Sequence, residues 1–118
     1  MENTNILYSI SIELALRIID YCIDKNLTNN MNVLLNQLIK SGTSVGANIR
    51  EAKRAYSKEQ FKYKLSIALG EAEETKFWLE LLNEKGFMSN EVFDIIYSKC
   101  SHCIGIIVNT LKKMDQTN

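Results

Sequence analysis

The sequence predicts an all-α protein, folded as an antiparallel up-and-down four-helix bundle, and three observations carry that expectation. The chain has 118 residues and no proline, and each interior proline would cost a helix about 3 kcal/mol. Four segments repeat apolar residues at alternating spacings of four and three, which keeps one stripe on one helix face. Short polar breaks separate the segments, and short loops make sequence neighbours run antiparallel.

The first segment covers about residues 4–25, with Leu7, Ile10, Leu14, Ile18 and Tyr21 on one face. A break follows at residues 26–30, where Asn29 and Asn30 are candidate N-caps. The second segment covers about residues 31–55, with a seam of Met31, Leu35, Leu38, Gly42, Val45, Ile49 and Ala52. Ser57 opens the third. Its hydroxyl and the Gln60 side chain fit a capping box, and Phe61, Leu65, Ala68, Ala72, Thr75, Leu79 and Leu82 continue the rhythm. Gly86 suits the left-handed residue that ends a helix. Ser89 caps the fourth segment, whose seam is Phe93, Ile96, Cys100, Cys103, Ile107, Leu111 and Met114. Residues 1–118 therefore read as a single domain.

Composition narrows the function classes. Fourteen Lys and Arg balance fourteen Asp and Glu, so no global charge draws the chain to nucleic acid or anionic lipid. Three cysteines without a framework spacing fit a reducing cytoplasm. No segment has the apolar length of a membrane span, and the first residues lack the pattern of a signal peptide. No membrane association is expected.

Two segments are apolar on both sides. In the first, Ile12, Leu16, Ile19 and Ile23 form a second stripe roughly 170° from the seam. In the third, Tyr63, Ile67, Trp78 and Leu81 do the same, with Gly70 between them. A helix in a monomeric bundle buries one stripe, so these eight residues predict a homo-oligomer interface.

Residues 41–52 are rich in small side chains. Glycine inside a helix costs about 1 kcal/mol against alanine, so Gly42 and Gly46 predict a close neighbour. Asn48, Glu51, Glu71 and Glu74 lie near facing seams and read as a structural polar network between helices. They lack the Glu-x-x-His pairs of di-iron bundles. Cys100 and Cys103 share a face that His102 does not, so no metal or other cofactor is expected. The one histidine has no nucleophile motif around it, and there is no phosphate loop. No catalytic residues are assigned, and the chain reads as a non-enzyme. Between Arg50 and Lys64, six basic residues stand against Glu51 and Glu59, a local +4. Arg50, Lys53, Arg54, Lys58 and Lys62 are candidate phosphate contacts to RNA or DNA, with Tyr56 among them.

Residues 41–82 also carry a set of motifs: Asn48-Ile49-Arg50-Glu51, the turn from Ser57 to Phe61, Ile67-Ala68, and Glu71-x-x-Glu74 leading to Trp78-Leu79. As a set they resemble the bacterial four-helix bundle family named after the 23S rRNA intervening sequence. The resemblance implies a ring-shaped homopentamer with no known enzymatic activity. The chain is also similar to the accessory protein of diversity-generating retroelements, a pentameric bundle that engages nucleic acid. Together these readings predict a non-enzymatic oligomeric scaffold or adaptor with a protein partner, and as the alternative an RNA-binding accessory protein.

Overall fold

The computed structural model describes residues 2–25 and 29–116. It contains four helices: α1 (Glu2–Ile23), α2 (Asn29–Lys53), α3 (Lys58–Glu84) and α4 (Asn90–Gln116). Each packs against two others. α1 touches α2 and α4, and α3 touches α2 and α4, so α1 and α3 stand diagonally across the bundle. The bundle measures 50 × 22 × 18 Å, longer than the roughly 40 Å of its 27-residue helices at about 1.5 Å per residue.

The predicted seams face inward. Leu14, Ile18, Leu38, Val45, Ile49, Leu65, Leu79, Ile96 and Ile107 are fully buried in one core. Burying a side chain of this size stabilises the fold by about 1.5–3 kcal/mol. The seam residues Phe61, Phe93 and Leu111 near the helix ends are only partly covered.

The helix ends follow local chemistry. Asn29 already belongs to α2, so neither Asn29 nor Asn30 stands ahead of it as a cap, and residues 26–28 lie outside those described. α2 tightens as it ends: the Arg54 and Ala55 amides donate to carbonyls three residues back, at 3.1 and 3.0 Å. The Ser57 Oγ accepts from the Gln60 amide at 3.0 Å, while Gln60 Oε1 accepts from the amide of Tyr56 at 3.2 Å. The expected box therefore closes one residue earlier than the cap residue itself. Gly86 has φ 79°, and the Phe87 amide donates to the Leu82 carbonyl, ending α3 as predicted. Ser89 Oγ accepts from the Val92 amide at the start of α4. Beneath this turn Met88 is buried, and Tyr21 donates from α1 to the Phe87 carbonyl at 2.8 Å.

The small residues of α2 serve packing. A β-carbon on Gly42 would collide with Ile18 of α1, and one on Gly46 would stand 3.1 Å from Ser11 Oγ. On the side toward α3, the hydroxyls of Ser41 and Thr75 lie 2.9 Å apart, both fully buried.

Candidate functional site

The antiparallel order gathers one end of the bundle from four places: the start of α1, the end of α2, the start of α3 and the end of α4. The structure brings Arg50, Lys53, Arg54 and Lys58 together there, all exposed. Arg50 and Arg54 are one helical turn apart and take part in no ion pair among the described residues. Lys53 lies over the Tyr8 ring, 4.7 Å from its centroid. Lys62 is half-buried and bonded to Asp115 of α4 at 2.6 Å. An ion pair this open to solvent contributes at most about 1 kcal/mol, so a phosphate could compete for Lys62.

Two hollows flank the arginines. One, of about 500 Å³, lies over Ala47 between the ends of α2 and α3, bordered by Arg50, Glu51, Arg54, Tyr56, Gln60 and Lys64. The other lies toward α1 and is lined by Tyr8, Arg50, Lys53 and Arg54. Lys64 bonds to Glu51 at 2.6 Å, and that carboxylate holds its ammonium above the ordinary value.

Residues missing from the sequence reading complete this end. Tyr8 comes from α1. Lys112 and Lys113 come from the last turns of α4, where cations also suit the helix dipole. They share this end by topology: an up-and-down bundle returns the end of α4 to the level of the α2–α3 turn, beside the start of α3. By position, this end carries eight basic and four acidic residues, within residues 2–12, 50–64 and 110–116. The opposite end carries two basic and six acidic, within residues 20–25 and 80–94. The overall balance of charge thus conceals +4 at one end and −4 at the other.

The candidate interface residues fall into two groups. On α1, Ile12, Leu16 and Ile23 are exposed, the latter two by 55% and 75%, while Ile19 is half-buried. On α3, Tyr63 is 62% exposed, and Ile67, Trp78 and Leu81 are half-buried. Phe77, absent from the predicted stripe, is 51% exposed and packs edge-on against Trp78, with centroids 5.0 Å apart. Gly70 has nothing within 4 Å of where its β-carbon would be.

Of the candidate polar network, Asn48 and Glu71 meet through Ser44. Asn48 Nδ2 donates to Ser44 Oγ at 3.0 Å, and Ser44 donates to Glu71 Oε2 at 2.9 Å, joining α2 to α3. Glu51 also reaches α3, through Lys64. Glu74 stays within its own helix, accepting from Trp78 Nε1 at 3.2 Å. The linking hydroxyls of Ser41, Ser44 and Thr75 escape a search for charged or amide side chains.

Among the described residues no three His, Cys, Asp or Glu side chains are grouped as metal ligands. Cys100 donates to the Ala72 carbonyl at 3.1 Å. Burial pushes the Cys100 and Cys103 thiols up to about 12 and that of Cys22 to about 11, which leaves them protonated and poorly nucleophilic at neutral pH. His102 is exposed. No described helix is long and apolar enough to cross a membrane.

The family model described as 23S rRNA-intervening sequence protein matches residues 3–109. The chain belongs to this family. A solved family relative has the same fold: a protein of unknown function from the S23 ribosomal protein family of Bacteroides thetaiotaomicron, whose crystal structure was determined at 1.70 Å. It is 38% identical, with a TM-score of 0.83 over 93% of this chain and 98% of that one. No curated protein matches the chain. Neither the family's description nor the relative's names an enzymatic activity.

Proposed function

We propose that this family member is a non-enzymatic scaffold that assembles head to tail into a closed ring, the pentamer its family resemblance implies. The observation that carries this reading is the diagonal placement of two different exposed apolar faces, Leu16 and Ile23 on α1 and Tyr63 and Phe77 on α3. A two-fold contact joins a patch to itself. Two unlike patches on opposite sides suit a heterologous contact, which closes into a ring when the rotation between copies permits. Gly70 on the outer face of α3 supports the same arrangement, because a closely approaching neighbour would offset its cost in the helix.

Mixing two interface variants tests the assembly. Leu16→Glu spoils the α1 face and Tyr63→Glu the α3 face. Each variant should be monomeric alone by light scattering, near the chain mass of 13.5 kDa. Mixed, they should form a heterodimer and nothing larger, since one intact face remains on each. A monomeric wild type would overturn the proposal, and so would a Tyr63→Glu variant that still dimerises by itself.

A second reading is favoured by the charge at one end: the scaffold binds nucleic acid through Arg50, Lys53 and Arg54, with Lys58 and Lys62 beside them. A ring of parallel copies collects every basic end on one rim. Phosphate contacts release counterions, so such binding weakens steeply between about 50 and 200 mM salt. Anisotropy of labelled RNA across that range tests it. Binding that withstands the added salt, or no binding at the lower concentration, would count against it. As an adaptor in a reducing cytoplasm, the scaffold would also present its surface to a protein partner, which recovery from lysate would reveal.

A further inference from the structure

Resting on that second reading, we infer that the basic end takes single-stranded rather than duplex nucleic acid, with one base stacked on Tyr56. Tyr56 is 90% exposed, the most open of the large apolar residues that the described surface leaves to solvent. It lies in the turn between α2 and α3, and its backbone is held: its amide donates to Gln60 Oε1, beside the Ser57 cap. The ring therefore projects from a fixed point. It borders the hollow over Ala47 alongside Arg50 and Arg54. A flat aromatic face next to guanidinium groups that pair with no acid among the described residues matches one unit of a single strand, a base joined to a phosphate. Single-strand binding sites combine a positive groove with aromatic platforms of this kind. In a duplex the bases already stack on one another, and sequence-independent binding there uses the phosphates. An exposed tyrosine adds nothing to that contact. The open side of the hollow and its volume of about 500 Å³ accommodate a group of nucleotide size.

The test compares a labelled oligouridine of about 20 nucleotides with an RNA hairpin duplex of similar length, titrated with the full chain at about 50 mM salt. The wild type should bind the single strand more tightly. Tyr56→Ala should weaken single-strand binding by at least about fivefold, leave duplex binding unchanged, and keep the helical circular dichroism of the parent. Tyr56→Phe should restore the single-strand affinity, because it keeps the ring. Arg54→Glu should weaken both. If Tyr56→Ala leaves single-strand affinity unaltered while Arg54→Glu reduces it, the stacking role is wrong and the phosphate reading stands. If the duplex loses as much as the single strand in Tyr56→Ala, the preference is overturned. If the wild type binds neither RNA, both readings fall together.

Discussion

Ile18 of α1 lies against Gly42 of α2 with no room between them for a β-carbon. Ile18 is itself fully buried, so the end methyl that has to give way moves within a close-packed core. Gly42→Ala gains up to about 1 kcal/mol of helix propensity but overpacks the core, at a cost of about 1–3 kcal/mol. The expected result is a net loss of stability in urea. Ile18→Val removes the colliding methyl. Alone it should destabilise, but in the Gly42→Ala background it should be neutral or stabilising. A double-mutant cycle reads this coupling, and strictly additive effects would contradict the packing described.

Gly70 and Gly105 both have open space where a β-carbon would sit. Gly105→Ala should therefore raise stability by up to about 1 kcal/mol. Gly70→Ala should do the same in the monomeric Leu16→Glu background. In the assembling wild type it should weaken association, measured as a rise in the concentration at which the oligomer dissociates. Equal stabilisation in both backgrounds would place Gly70 away from any interface between copies.

Thr75 and Ser41 share a buried hydrogen bond at 2.9 Å. Thr75→Val leaves the Ser41 hydroxyl only a long contact of 3.4 Å to the Leu38 carbonyl. The expected loss is about 1–3 kcal/mol. Adding Ser41→Ala should recover part of it, because the stranded hydroxyl is then gone. A double variant less stable than Thr75→Val alone would show that Ser41 is satisfied without Thr75.

Alkaline pH should unfold the bundle through its thiols. Burial raises Cys100 and Cys103 from an ordinary 9.0 to about 12. Below pH 9 both states hold these protons and the contribution is complete. Between about 9 and 12 the unfolded chain releases them while the folded chain retains them, so stability falls as pH rises. The urea midpoint should drop from about pH 8 to about pH 10.5, and drop less in the Cys100→Ala, Cys103→Ala double variant. An equal slope in that variant would assign the alkaline loss to other groups, such as Tyr21.

Much of the fold was legible in the sequence, because each helix carries its own punctuation and a single seam. Ser57, Gly86 and Ser89 mark helix ends by local backbone chemistry, and the buried stripes follow from spacing alone. Gly42 and Gly46 announced a close contact without naming Ile18 or Ser11, since spacing within one helix does not give the register of the next. The basic end was half legible. Arg50, Lys53, Arg54 and Lys58 are close in sequence, whereas Tyr8 joins them through the packing of α1 on α2, and Lys112 and Lys113 reach this end only after the chain has turned three times. Ser44 was hidden for a different reason: a hydroxyl linking Asn48 to Glu71 looks, in sequence, like any other small residue on a packed helix.

The separation of charge along the bundle gives this electrically neutral molecule a direction. Four excess positive charges at one end and four excess negative at the other, on an axis of 50 Å, form a dipole that feels a torque in any external field. Beside a polyanion the molecule swings its basic end forward before the two surfaces touch, which narrows the rotational search that limits encounter rates. An isoelectric point near neutrality then describes the total and conceals the arrangement. On ion-exchange media the same protein should be retarded by both signs of resin at low salt, each resin holding it by the opposite end.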